Sequence, residues 1–512
     1  MQNNVGLFLA KRAFRDPNLE AMIEPATGRR FTYRQLNERA NRIAHVMKGL
    51  GVRKGDRVGV LVMNGVEFLE TFYGLGKIGA VCVPLNWRLV PDELEFILND
   101  SGTTLLVFGS EFAAPVADLR GRGTTVVEWV QVTAAGAGRE SWALDYDEAT
   151  AAVSVDEPPI EGRDDDLLFI MYTSGTTGLP KGVMHSHNTV IWATFTINAT
   201  SEMRYKDRYL LILPFFHVGA LSPVWCIIHR GCTGIIVRSF DPKLVWELVE
   251  REKVNNMLAV PAMLNFMLQA GQGGRDVSSL RWIMSGAAPV PVTLIEAYAE
   301  LGIEIHQVYG LTETGGPACL ISSDDAITRA GSTGRAFFHT NVRVVRDDGT
   351  DCDPDEPGEV LVAGPHIMVG YWNRPEATAQ TVRDGWLHTG DIAAMDAEGF
   401  VTIKDRVKDM LISGGENVYP AEIENVVLSN PKVADVAVVG IPSAKWGESP
   451  LVVVVRKDPS LTAEEVIAGC RGRLAPFKMP KAVEFVDEIP RNPSGKVLKR
   501  TLREQFDYSA AE

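Results

Sequence analysis

Cysteine is scarce and unpatterned. The 512 residues hold six, Cys82, Cys226, Cys232, Cys319, Cys352 and Cys470, with no CxxC pair and no regular spacing. That excludes a scaffold built on disulfides and predicts a reducing cytoplasm. No apolar run approaches the roughly 20 residues that span a bilayer, so the chain is not expected to cross a membrane, although contact with a membrane surface stays open. Basic side chains are also short in number, 51 against 65 acidic ones, for a net charge of −14. A general nucleic-acid binder needs the opposite balance to neutralise phosphates, and no nucleic-acid partner is expected. The first 17 residues have neither a basic leader region nor a small-residue cleavage pattern and read as an amphipathic helix. Repeats and low-complexity tracts are missing as well. What remains is 46% hydrophobic and 23% charged residues, the composition of a packed enzyme, at a length of about three domain-sized units or one large α/β domain with an appendage.

Short β-branched runs alternate with helical patterns from about 57 to Gly310, each run ending in a Gly, Pro or Asn signal. The runs at 57–64, 80–86, 103–109 and 167–175 open the series. This alternation predicts βα units and mainly parallel sheets buried on both faces, doubly wound. Ligands in such folds sit at the carboxyl ends of strands. The segment after Thr32 has apolar residues at helical spacing, a Thr cap and a closing Gly51. From about 340 the strands shorten and turn like hairpins, which predicts a small antiparallel barrel or sheet. A boundary is expected at 405–409, dividing a large unit, 1–404, from a compact α+β unit, 410–512. Residues 116–165 are the least informative.

The strongest local signal is Tyr172-Thr-Ser-Gly-Thr-Thr-Gly-Leu-Pro-Lys-Gly182, directly after an apolar strand. Gly175, Gly178 and Gly182 let backbone amides approach an anion, Thr173, Ser174, Thr176 and Thr177 add hydroxyls, and Lys181 adds charge. It reads as a phosphate loop, but without the GxxxxGK[ST] spacing of a P-loop ATPase.

At this string the chain resembles the acyl-adenylate-forming superfamily of AMP-binding acyl-CoA synthetases, which also holds luciferases and peptide-synthetase adenylation domains. Tyr309-Gly-Leu-Thr-Glu-Thr314, Thr389-Gly-Asp391, Asp405-Arg-Val-Lys-Asp409, Ser413-Gly-Gly-Glu-Asn417 and Pro493-Ser-Gly-Lys496 follow in the superfamily's order. The resemblance spans nearly the whole chain and is nearest to bacterial fatty-acyl-CoA ligases. It implies ATP, Mg²⁺ and coenzyme A, a carboxylic acid as substrate, and a large AMP-binding unit with a small mobile C-terminal domain. The chemistry accounts for the residue types. A carboxylate is a poor acyl donor, so an acyl-AMP is made first; cations and amide donors must then offset the repulsion between carboxylate and α-phosphate.

By the same resemblance Glu313 holds Mg²⁺, Thr312 donates to the α-phosphate, and Tyr309, beside Gly310, stacks on adenine. Gly286, Ala287 and Ala288 line the base, Asp391 accepts the ribose hydroxyls and Arg406 assists there. Lys496 reaches carboxylate and α-phosphate in the adenylating arrangement only. Lys408 is the pivot on which the small domain withdraws Lys496 and presents Gly414 and Gly415 to pantetheine.

His217 follows Pro214-Phe-Phe, where relatives have a gate beside the acyl carboxylate. The acyl pocket implied is His217, Val218, Gly219, Ser222, Met284, Ala287 and Val308, with Val308 narrowing a tunnel that Gly219 and Ala287 leave open. Residues 215–222 offer no Asp for a substrate ammonium, which disfavours an amino-acid-activating domain. Medium- to long-chain fatty acids are expected. An aryl-acid ligase and a luciferase-like oxygenase remain as alternatives, and the sequence sets no oligomeric state.

Overall fold

The structure is a computed structural model; it describes residues 3–173, 179–288, 290–406, 409–413, 416–443, 447–474, 478–491 and 497–506. Two large sheets dominate. One has nine strands, of which Glu20–Glu24, Arg208–Leu211, Thr233–Ile236, Asn256–Ala259, Trp282–Ser285 and Glu304–Tyr309 run parallel. The other has eight strands, parallel through Arg57–Leu61, Val81–Pro84, Leu105–Gly109 and Leu167–Thr173, with Lys181–Ser186 added antiparallel. Helices Val66–Ile78 and Val218–Arg230 are buried along nearly their whole length. Their side chains join strands of both sheets in one apolar core, so both faces of these parallel strands are covered, as near-continuous apolar runs require.

The local rules held where the sequence stated them. Helix Tyr33–Gly49 starts at Thr32, whose hydroxyl accepts from Gln35 N while the Gln35 side chain accepts from Thr32 N, a reciprocal capping box. The opening helix is Gly6–Arg15. The hairpin Glu20–Glu24/Arg29–Thr32 was not foreseen, and residues 116–165 turn out to hold strands Glu128–Val132 and Leu144–Asp145 and a short helix, Tyr146–Ala151.

A third sheet of five antiparallel strands, from Asn341–Val345 to Val401–Arg406, forms the curled unit. Its last strand passes position 404 and pairs Arg406 with Asp391. The fourth sheet lies wholly beyond 410: Val433–Ser443 and Gly447–Arg456 form its long antiparallel pair, Ala482–Val486 adds a parallel strand, and helices Pro420–Leu428 and Ala463–Cys470 share its core. No helix among the described residues is long and apolar enough to cross a membrane.

Candidate active site

The carboxyl ends of the parallel strands open on one cleft of about 2350 Å³. Thr173, Lys181, Tyr309, Gly310, Thr312, Glu313 and Asp391 line it, as do Gly286, Ala287 and Ala288. So do His217, Val218, Gly219, Ser222, Met284 and Val308, the residues expected to form an acyl pocket. The structure therefore gathers onto one surface groups separated by more than 200 positions. Ser174, Gly175, Thr176, Thr177, Gly178, Lys408, Gly414, Gly415 and Lys496 lie outside the described residues, as does the side chain of Arg406. Their described flanks are informative. Thr173 and Lys181 are register partners on adjacent antiparallel strands. Arg491 and Val497 form an isolated bridge, and both line the cleft.

The turn Thr312–Thr314 is fixed from behind. His185 Nε2 meets the carbonyl oxygen of Thr312 at 2.8 Å, and His366 Nδ1 meets that of Thr314 at 2.9 Å. Burial lowers both imidazoles to a pKa of about 4, so at neutral pH each is uncharged, donates one N–H to the turn and accepts on its other nitrogen. The Tyr371 hydroxyl donates to Glu313 Oε1 at 2.9 Å, and Lys181 Nζ stands 4.8 Å from the centroid of the Tyr371 ring. One aromatic side chain thus contacts both the candidate metal-binding carboxylate and the candidate phosphate-binding ammonium. The second oxygen of Glu313 takes no hydrogen bond among the described residues. A half-buried carboxylate with one oxygen unengaged fits Mg²⁺, which takes one or two carboxylates and completes its shell with phosphates and water.

Farther along the cleft lining the Tyr309 hydroxyl donates to Asp391 Oδ2 at 2.6 Å. Burial, followed by the Asp391 charge, pushes this phenol well above its ordinary range, which keeps it protonated as the donor. Glu359 shapes the turn before Asp391: its Oε2 pairs with His388 Nδ1 at 2.9 Å and its Oε1 accepts from Gly390 N at 3.1 Å. The small residues after strand Trp282–Ser285 prove obligatory in one place. A Cβ on Gly286 would stand 2.2 Å from the Val308 carbonyl oxygen. Ala287 takes a left-handed φ of 67°, a conformation that a non-glycine residue holds only under constraint. At Gly219 there is room, since an added Cβ meets nothing closer than Leu213 Cδ1 at 3.9 Å. His217 precedes helix Val218–Arg230 and packs on Phe216, with ring centroids 4.4 Å apart.

Sequence reasoning missed Tyr371, His185, His366 and Glu359. Tyr371 sits in Gly370-Tyr-Trp-Asn-Arg-Pro375, a string with enough aromatic and turn character to have been singled out. The histidines carry no local signature.

Comparison with known proteins decides the family. Residues 9–372 match the AMP-binding enzyme family and residues 422–496 match the AMP-binding enzyme C-terminal domain. The chain belongs to the AMP-binding enzymes. This AMP-binding enzyme is 46% identical to the long-chain-fatty-acid–CoA ligase FadD13 of Mycobacterium tuberculosis, over 98% of each chain. The solved fatty acyl CoA synthetase of M. tuberculosis superposes with a TM-score of 0.80 at 44% identity, covering 99% of both chains. The o-succinylbenzoate CoA synthetase of Bacillus subtilis, solved with its acyl-adenylate, gives a TM-score of 0.86 at 32% identity over 98% of both.

Proposed function

We propose that this AMP-binding enzyme is an AMP-forming acyl-CoA synthetase whose acid is hydrophobic, a medium- to long-chain fatty acid in the first place. The observation that carries the reading is the single cleft. Its polar wall, with Lys181, Thr312, Glu313 and Asp391, continues into an apolar wall with Val218, Met284 and Val308. Nucleotide and acyl group can therefore meet without leaving the protein. The likeness to a long-chain-fatty-acid–CoA ligase supports a fatty acid; the likeness to a succinylbenzoate synthetase keeps aryl acids as the second reading.

In the first step the acid's carboxylate oxygen attacks the α-phosphorus of ATP and pyrophosphate leaves. Thr312 donates to the α-phosphate, Asp391 accepts from the ribose, and Lys181 with the 174–178 segment faces the outer phosphates. Glu313 holds Mg²⁺, which when bound offsets phosphate charge. Tyr309 forms a platform for adenine while its hydroxyl orients Asp391. Lys496 neutralises carboxylate and phosphate together. In the second step the CoA sulfur attacks the acyl carbon, AMP leaves, and the thiol proton passes to solvent; Lys408 is the pivot and Gly414 and Gly415 flank the pantetheine path. The 405–409 segment joins the two working units, and six cysteines without a disulfide pattern suit the cytoplasm.

The test is a panel of straight-chain, aryl and amino acids, each assayed for acid-dependent AMP and pyrophosphate release with and without CoA. CoA-dependent AMP release with fatty acids is expected. Turnover restricted to aryl acids selects the second reading, and product formation that consumes oxygen instead of CoA overturns both.

A further inference from the structure

Lys181 and Glu313 carry opposite charges and line one cleft, yet neither has an ion-pair partner among the described residues. Each meets the same side chain instead. The Tyr371 hydroxyl donates to Glu313 Oε1 at 2.9 Å, and Lys181 Nζ lies over the Tyr371 ring, 4.8 Å from its centroid. The electron-rich ring face takes the cation and the hydroxyl takes the anion. Opposite charges this near to one another, and partly shielded from water, attract strongly and would otherwise close into a pair.

The aromatic side chain is held firmly. Tyr371 is buried, in an apolar cluster with Val183, Met368 and Leu387. Its strand, Gly370–Tyr371, pairs antiparallel with Lys181–Ser186. Trp372 N donates to the Gly182 carbonyl oxygen at 2.7 Å and Val369 N to that of Met184 at 2.9 Å, while Met368 N donates to the Glu313 carbonyl oxygen at 2.8 Å. Residues 368–372 therefore fix the main chain at or beside both charged residues and aim one rigid side chain at the pair. The segment is tied in turn to Asp100, whose carbonyl oxygen accepts from Trp372 Nε1 at 2.9 Å and whose carboxylate pairs with Arg374 at 2.8 Å.

A cleft that takes a metal–nucleotide needs both charges open, Glu313 towards Mg²⁺ and Lys181 towards phosphate. Were they paired with each other, the pair would have to break before the nucleotide could bind, and apparent affinity would fall with the fraction of molecules left competent. Resting on the acyl-CoA synthetase reading, we propose that Tyr371 is a positioning residue that keeps Lys181 and Glu313 from pairing, so that the ammonium stays open to phosphate and the carboxylate to Mg²⁺.

Two measurements on the full chain test this, one of them without nucleotide. Lys181→Met and Glu313→Gln, singly and together, form a double-mutant cycle in urea unfolding. In the parent the two changes should be additive; in a Tyr371→Leu background, where the pair can close, they should couple by about tenfold in the unfolding constant. Calorimetry with ATP and Mg²⁺ as the probe gives the second reading. Tyr371→Leu should raise Kd about tenfold, the loss expected when about nine molecules in ten hold the pair. Tyr371→Phe, which keeps the ring and loses one hydrogen bond, should stay within about threefold of the parent. A merely structural role would weaken binding without creating any coupling between Lys181 and Glu313. Additivity in both backgrounds therefore overturns the proposal, and so does a Tyr371→Leu protein that binds Mg-ATP as tightly as the parent. Should Tyr371→Leu not fold, Tyr371→Met takes its place in both measurements. If the parent binds no Mg-ATP, the acyl-CoA synthetase reading has failed and this proposal with it; tight binding by the parent together with an additive cycle leaves that reading standing and sinks only this one.

Discussion

Glu313 is a half-committed carboxylate: Tyr371 occupies Oε1 while the other oxygen remains for a cation. Glu313→Gln preserves the side chain's shape, and its amide oxygen can still accept from Tyr371, so the change removes charge and little else. The Mg²⁺ concentration for half-maximal pyrophosphate release should rise at least about tenfold. An unchanged Mg²⁺ titration would remove the metal role from this residue. Gly286 supports a prediction of another kind. The Val308 oxygen that a Cβ would strike at 2.2 Å is backbone, on a strand paired on both sides, with Ser285 opposite Gln307 and Val308 opposite Leu320. It cannot swing away as a side-chain tip could. Gly286→Ala must therefore part the ends of two strands, at about 1–3 kcal/mol, and shift Ala287 from the cleft wall. Chemical denaturation should report the lost stability, and KM for ATP should rise; a variant equal to the parent in both would mean that the two strand ends part without cost.

At the level of elements, the Thr312–Thr314 turn depends on two histidines that must stay neutral. Unfolded histidine takes up a proton below about pH 6.5, whereas His185 and His366 in the fold resist until about pH 4. Protons thus bind preferentially to the unfolded chain in this window, and stability present above pH 6.5 is lost as pH falls towards 4. Each histidine should account for about 2 kcal/mol between pH 7 and pH 5. His366→Asn keeps a donor near the Thr314 carbonyl and cannot protonate, so its loss of stability over that interval, measured in urea, should be smaller than the parent's by about that amount. Identical losses would show that other groups govern the acid limb. These histidines also mark what was legible in the sequence. The capping box at Thr32, the parallel strands and the order of the site motifs depend on neighbours in sequence, and the residues in them could be read directly. The bond from His185 to Thr312 spans 127 positions and that from His366 to Thr314 spans 52; no periodicity or turn rule carries such information. The hairpin Glu20–Thr32 escaped for the converse reason: its Arg29–Thr32 strand is short, half charged and only partly buried, so no apolar run announces it.

At the scale of the whole molecule, the cleft is walled both by the parallel sheets and by the chain beyond 410, since Asn425, Arg491 and Lys499 line it beside Tyr309 and Asp391. Contacts converge on the segment between the two. Asp405 Oδ2 accepts from Ala421 N at 3.2 Å, and Arg503 pairs with Asp409 at 3.3 Å. Burial works against the charge of Lys499, yet Glu424, Asp405 and Asp409 hold its pKa above the ordinary value. In the proposed mechanism this segment is the pivot between two positions of the small unit, each with its own face to the cleft. Lys496 belongs to one face in the proposed mechanism and Gly415 to the other, so the two half-reactions should separate genetically. Lys496→Ala should lower acyl-AMP formation from acid and ATP about a hundredfold or more, the loss expected when a charge-assisted contact made chiefly in the transition state disappears. Supplied with synthetic acyl-AMP and CoA, the same variant should still form acyl-CoA at a substantial rate. Gly415→Leu should do the reverse, accumulating bound acyl-AMP from ATP while thioester formation stops, because a branched side chain closes the path of a narrow pantetheine. A single-turnover experiment with radiolabelled acid reads both products from one quench. If Lys496→Ala depressed the two half-reactions equally, the lysine would serve nucleotide binding or folding in general, and one fixed arrangement of the units would explain the enzyme as well as two.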